Sequence, residues 1–157
     1  MKILFVCLGN ICRSPLAEAI FNDKIKSKGL QEKILADSCG TGNYHVGDWP
    51  DHRTIKCAAK NNILINHVGR QLSHADLENF DLILVMDGSN LFNVLRLGNE
   101  STKSKVKLMR SFDPLGEGDV PDPYYGNEKD FDEVFEILER SVSKLVGNLE
   151  VQVLDKT

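Results

Sequence analysis

Apolar positions along this chain follow two alternating rhythms. Short runs at residues 2–6, 33–38, 81–86 and 105–109 read as strands, and the third holds five successive apolar residues from Leu82 to Met86, as strands covered on both faces do. The intervening stretches carry helical spacing. Ser14 followed by Pro15 marks a helix start, with serine capping the first turn, and the pattern runs to about residue 28 before Gly29 stops it. Residues 51–61, 73–79 and 89–97 are further helical segments, while Asp130 with Glu133 resembles a capping box with aspartate as the cap. The last helix is the clearest: Phe131, Val134, Phe135, Leu138, Val142, Leu145 and Leu149 recur at three- and four-residue steps and form one apolar stripe. Strands alternating with helices predict an α/β fold around a central parallel sheet.

Two segments break the alternation and read as long loops. Residues 40–50 are rich in Gly, Asn, Asp and aromatics, and residues 110–126 hold three of the five prolines. No repeat, low-complexity tract or linker divides the sequence, so residues 1–157 are expected to form a single domain. A net charge of −4 gives no reason to expect nucleic-acid or membrane-surface binding, so any anion must be held locally. The N-terminal apolar run 3–6 is too short for a signal peptide, and no run spans a bilayer. Four cysteines in a chain of this length do not form a disulfide scaffold; a cytoplasmic protein with free thiols is expected.

The chemistry lies between the first strand and the first helix, in Cys7-Leu8-Gly9-Asn10-Ile11-Cys12-Arg13-Ser14-Pro15. The cysteine ends a strand, Gly9 and Asn10 can adopt unusual backbone angles, and the arginine enters a helix. A loop of this kind turns successive backbone N–H groups inward, and the helix N-terminus adds partial positive charge. Arg13 brings a planar fork matched to two oxygens of a phosphate-like dianion. The same field favours the thiolate form of a cysteine, which is the nucleophilic form, and the Ser14 hydroxyl is placed to donate to the sulfur. Cys7 is therefore the candidate nucleophile for attack on bound phosphorus, with Arg13 and the loop amides stabilising the pentacoordinate charge.

Displacement at phosphorus needs an acid for the leaving oxygen. Asp122, between Pro121 and Pro123, is the candidate, with Asp113 and Asp119 as rivals. Other readings stay open on these residues alone: an inert strand-end cysteine, a phosphate receptor without turnover, or a metal site using Cys7, Cys12 and histidines, although no second compact Cys/His pair follows. The loop matches neither the Walker nor the dinucleotide glycine pattern.

Together, the stretch from Val6 to Glu18 and the late Asp122-Pro123-Tyr124-Tyr125-Gly126-Asn127 resemble motifs of the low-molecular-weight protein tyrosine phosphatases, and the likeness covers essentially the whole chain. The resemblance implies a four-stranded parallel sheet with helices on both faces and the phosphate-binding loop, residues Leu8, Gly9, Asn10, Ile11, Cys12 and Ser14, between first strand and first helix. It implies Cys7 as nucleophile, Arg13 as phosphate ligand, Ser14 as thiolate-stabilising hydroxyl and Asp122 as general acid and base. Ser38 and His67 would join Asn10 in a buried network holding the loop, and Cys12 would pair reversibly with Cys7 on oxidation. No cofactor or metal is implied.

The family includes protein-arginine phosphatases and arsenate reductases on the same fold. The former carry threonine where this chain has Ile11, whose bulk suits an aryl ring; the latter need two further cysteines near the third strand, and residues 75–100 contain none. Tyr44 and Tyr124, with Tyr125 nearby, would wall an aromatic slot for phosphotyrosine. The expected partners are thus phosphotyrosine proteins or small aryl phosphates, with inorganic phosphate as product, acted on by a monomer with at most weak self-association through exposed tyrosines. Cys39 and Trp49 depart from the family pattern.

Overall fold

The computed structural model describes residues 1–155; the last two positions of the expected domain lie outside the described residues. Four strands, β1 (Lys2–Cys7), β2 (Leu35–Gly40), β3 (Leu82–Val85) and β4 (Val106–Leu108), form one sheet in the order β2-β1-β3-β4, and every neighbouring pair is parallel. The helices are α1 (Arg13–Ser27), α2 (His52–Lys60), α3 (His74–Asn79), α4 (Gly88–Leu97), α5 (Glu100–Lys103) and α6 (Glu128–Leu154), with a 3-10 turn at Met109–Phe112. None of these helices is long and apolar enough to cross a membrane.

Side-chain alternation on β1 divides the core into two layers. Ile3, Phe5 and Cys7 pack into a cluster with Leu16, Ile20 and Phe21 of α1 and the apolar stripe of α6. Leu4 and Val6 point the other way, into a cluster with Ile83, Val85, Leu77 of α3 and Val94 of α4. Helices therefore cover both faces, as a parallel sheet requires. The chain leaves β1 toward β2 on one side and later returns to β3 on the other, so the loops at the C-terminal end of β1 diverge and leave a crevice there.

Several boundaries differ from expectation for identifiable reasons. Helix α1 ends as foreseen: Gly29 takes φ +68, with Leu30 N–H bonded to Ile25 O and Gly29 N–H to Lys26 O, the paired bonds of a glycine-terminated helix. The following residues make a turn closed by Lys33 and Ile34 N–H on Leu30 O, so β2 begins at Leu35, two residues later than expected, and runs on to Gly40 beside Cys7. Ser14 does not cap α1. Cys12 occupies the cap position without a side-chain bond, and the Ser14 hydroxyl turns to sulfur instead. Nor does Asp130 cap α6: Asn127 does, accepting from the N–H groups of Lys129 and Asp130, while the Asp130 carboxylate closes the box on Asn127 N–H. Asp87, one residue before α4, caps that helix through Asn90 N–H, so it starts at Gly88, ahead of the expected Ser89. The one-turn α5 carried no periodicity by which to foresee it.

Candidate active site

At the end of β1 the chain folds back over itself. Asn10 adopts φ +59, a left-handed conformation that asparagine tolerates better than most residues, and this turns its N–H onto Cys7 Sγ at 3.3 Å. Ser14 Oγ lies 3.1 Å from the same sulfur. The N–H groups of Gly9, Ile11 and Cys12, which all line the crevice, donate to no acceptor among the described residues. The loop thus presents backbone donors around a buried sulfur at a helix N-terminus, the elements of an anion cradle.

The Asn10 side chain ties this loop to the sheet. Its Nδ2 donates to Ser14 Oγ at 2.7 Å and Ser38 Oγ at 3.1 Å, while its Oδ1 accepts from Arg70 N–H at 3.1 Å and from His67 Nε2 at 2.6 Å. Ser38 in turn donates to Glu18 Oε1, and His67 Nδ1 faces Glu18 and Asp37 at 3.2 and 3.6 Å. The expected grouping of Asn10, Ser38 and His67 is present, enlarged by Glu18, Asp37 and Arg70. Of the described residues, only Glu18, Asp37 and His67 bring three donor atoms of metal-ligating type together, and Arg70 Nε already holds Asp37 at 2.9 Å. Cys39 is fully buried in the second core layer, and its carbonyl accepts from Ser14 Oγ at 3.4 Å.

Arg13 is 2% exposed. Its Nη1 donates to Asp87 Oδ2 at 2.7 Å and to the Val120 carbonyl at 2.9 Å, and Nη2 stands 3.7 Å from Asp122 Oδ2. Burial alone would lower its proton affinity, but the charges of Cys7, Asp122 and Asp87, together with the Asp87 hydrogen bond, outweigh burial and hold it above the ordinary arginine value. Among the three aspartates weighed from sequence, the structure separates the roles. Asp113 is buried against Arg110 and Arg140; Asp119 accepts from Gly88 N–H; only Asp122 lines the crevice, half-exposed, with Tyr124 N–H on its Oδ1.

The crevice encloses about 420 Å³ and is lined by Cys7, Leu8, Gly9, Ile11, Cys12 and Arg13 below and by Tyr44, His45, Asp122, Tyr124 and Tyr125 around the mouth. All three expected tyrosines are present there, and His45 joins them; Trp49 stands outside, two-thirds exposed. Burial pushes the Cys12 thiol up to about 12, the charges of Asp51, Cys7 and Asp122 adding to it, so at neutral pH it is a neutral thiol.

Comparison with known proteins agrees with this geometry. Residues 2–155 match the model of the low molecular weight phosphotyrosine protein phosphatases. The chain belongs to this family. A low molecular weight phosphotyrosine protein phosphatase from Gallus gallus is 45% identical over 137 residues, covering 86% of this chain and 87% of the relative. The crystal structure of a protein tyrosine phosphatase from Entamoeba histolytica superposes with a TM-score of 0.93 at 41% identity, covering 97% and 98% of the two chains. A more distant member, the YwlE arginine phosphatase, was solved as a variant with a phosphorylated active-site serine; it aligns with a TM-score of 0.84 at 26% identity over 96% of each chain. A structure of YwlE is from Bacillus subtilis.

Two partners of Arg13 were missed from sequence as contacts. Asp87 lies 74 residues from Arg13 along the chain, and the Val120 carbonyl lies 107 away. Nothing local tells a helix-capping aspartate that its second oxygen will hold an arginine.

Proposed function

We propose that this chain hydrolyses phosphotyrosine and small aryl phosphates through a phosphocysteine on Cys7, acting as one domain. The observation that carries this reading is the placing of a nucleophile and an acid in one crevice with one arginine: Cys7, whose sulfur accepts from Asn10 N–H and lies 3.1 Å from Ser14 Oγ, and Asp122, which faces Arg13 Nη2 at 3.7 Å. The dianion sits in the loop on Arg13 and the free amides. Cys7 thiolate attacks phosphorus in line, the bond from phosphorus to the phenolic oxygen breaks, and Asp122 gives its proton to that oxygen. Water then attacks the phosphocysteine, Asp122 takes the water's proton, the P–S bond breaks, and phosphate leaves a thiolate that the Ser14 hydroxyl and Asn10 N–H stabilise.

Depth and lining favour aryl esters. Cys7 and Arg13 are almost fully buried at the floor while Tyr44 at the mouth is 72% exposed, so a short seryl ester reaches the sulfur less well than a tyrosyl one. Ile11, also buried, gives the wall an apolar surface that suits a ring better than a phosphoguanidine. The acting unit is a monomer, since Cys7, Arg13 and Asp122 line one crevice within a chain. Four free cysteines fit the reducing cytoplasm.

The test is hydrolysis of p-nitrophenyl phosphate and a phosphotyrosine peptide, against phosphoserine and phosphoarginine peptides, with chelator present. Aryl esters should be turned over, Cys7→Ser should abolish turnover, and Asp122→Asn should slow it by about 10²–10⁴. Undiminished turnover by Cys7→Ser would overturn the mechanism.

A further inference from the structure

The loop carrying Asp122 is anchored unequally on its two sides. Upstream, Val120 is held twice: its N–H bonds to Met86 O at 2.7 Å and its carbonyl accepts from Arg13. Downstream, residues 123–126 reach α6 with few ties. Gly126 N–H bonds back to Pro123 O within the segment, and the carbonyls of Tyr124 and Gly126 are both taken by one side chain, Arg53 of α2. Its Nη2 donates to Tyr124 O at 2.9 Å and its Nη1 to Gly126 O at 3.4 Å. The guanidinium also lies over the Tyr124 and Phe131 rings, 5.6 and 4.6 Å from their centroids.

Arg53 is itself fixed. Asp51, the cap of α2, takes it in a fork, with Nε on Oδ1 at 3.0 Å and Nη2 on Oδ2 at 2.8 Å, and accepts Arg53 N–H as well. Asp51 N–H then bonds to Ile11 O in the phosphate loop at 2.8 Å. A continuous chain of contacts therefore runs from the phosphate loop through Asp51 and Arg53 to the Tyr124 backbone, whose N–H holds Asp122 Oδ1 at 3.1 Å.

From this path we propose that Arg53 is a positioning residue for proton transfer, fixing the distance between the phosphate cradle and the Asp122 carboxyl. This rests on Asp122 being the general acid. Arg53 lines a separate cleft with His52, Lys56 and Phe131 and does not line the crevice itself, so it acts through Asp122 without touching substrate. Its fork satisfies Asp51 and two carbonyls at once, a geometry the point charge of lysine cannot reproduce. A displaced carboxyl costs rate only where the leaving oxygen needs a proton, and leaves phosphate binding as it was.

The experiment compares kcat/KM for phenyl phosphate, a poor leaving group, with 2,4-dinitrophenyl phosphate, which departs without a proton, and measures inhibition by inorganic phosphate. The variants are Arg53→Met, which keeps an unbranched stem but removes the guanidinium, Arg53→Lys, Asp122→Asn, and Arg53→Met combined with Asp122→Asn. Arg53→Met should lose about 10- to 100-fold on phenyl phosphate, less than the about 10²–10⁴ that removing the acid itself costs, and less than about threefold on the dinitrophenyl ester, with the phosphate inhibition constant unchanged. Arg53→Lys should fall closer to Arg53→Met than to wild type. On the Asp122→Asn background, Arg53→Met should cost no further activity on phenyl phosphate, since both changes remove the same step. Equal losses on both esters, weakened phosphate inhibition, or multiplicative effects in the double variant would overturn the inference and assign Arg53 a purely structural part. If Asp122→Asn itself slows both esters equally, the acid assignment fails, and the inference fails with it.

Discussion

Replacing Asp113 by asparagine tests how the acid-bearing loop is fastened where it leaves the sheet. The Asp113 carboxylate is buried and accepts from Arg140 Nε and Nη2 at 2.7 and 3.0 Å, from Arg110 Nε at 2.9 Å and from Leu115 N–H at 2.9 Å. Asparagine keeps one acceptor but sets an NH2 group against arginine donors, leaving two guanidinium groups without their anion. Breaking a buried ion pair from one side costs about 3–5 kcal/mol, and because the arginine side chains are 21% and 28% exposed, water shares the loss, so about 3 kcal/mol is expected. For a chain of this size that lowers Tm by about 6–12 °C at neutral pH.

The pH dependence of that gap carries the stricter test. Hydrogen bonds from Arg140 hold Asp113 down at about 2; burial opposes them, and Leu115 N–H, Arg110 and the Arg140 charge add to them. In the unfolded chain the carboxyl titrates near the ordinary value of about 3.9. A group depressed on folding stabilises fully above its unfolded value, and the contribution disappears as pH falls through the folded one. Calorimetry of wild type and Asp113→Asn at pH 6, 4, 3 and 2.5 should therefore show a Tm gap that is constant down to about 4 and narrows below it. A gap that persists unchanged to pH 2.5, or is under 2 °C at pH 6, would refute the account.

A methyl group at Gly40 would meet Leu8 O at 2.6 Å and Asn10 N at 3.2 Å, so Gly40→Ala should push the phosphate loop outward and lower kcat/KM for p-nitrophenyl phosphate by at least about tenfold. Gly147, inside α6 with open space around it, is the contrast: Gly147→Ala should raise stability by about 0.8–1.0 kcal/mol in urea unfolding and leave activity unchanged. After brief peroxide treatment, Cys7 sulfenic acid and the Cys12 thiol should condense to a disulfide and water, and dithiol should restore activity in wild type but not in Cys12→Ser. Because the Cys12 thiol titrates at about 12, the trapping rate followed by stopped-flow should rise about tenfold per pH unit from 7 to 10; a flat profile would exclude Cys12 thiolate as the attacking species.

How much of this was legible beforehand depends on how far along the chain each determinant reaches. The cradle was readable because it is local: a strand end, a residue able to take positive φ, and a helix start within eight residues, Cys7 to Ser14, leave little choice of geometry. The sheet and the stripe of α6 followed from periodicity for the same reason. Contacts that fasten the site were not readable, since Asp87 on Arg13, Arg53 on Tyr124 and Arg140 on Asp113 join positions 74, 71 and 27 residues apart, and a charged residue's partner is set by topology rather than by neighbours. The most instructive failure is Ser14. Local rules make it the cap of α1, yet its hydroxyl is occupied by Cys7 Sγ, Asn10 Nδ2 and Cys39 O. With no side chain capping that helix, its first-turn donors stay open toward the crevice, which is the condition an incoming dianion needs. A cap would have stabilised the free protein by about 1 kcal/mol at the expense of the ligand, so the place where the local rule fails is the place where the fold is arranged for binding.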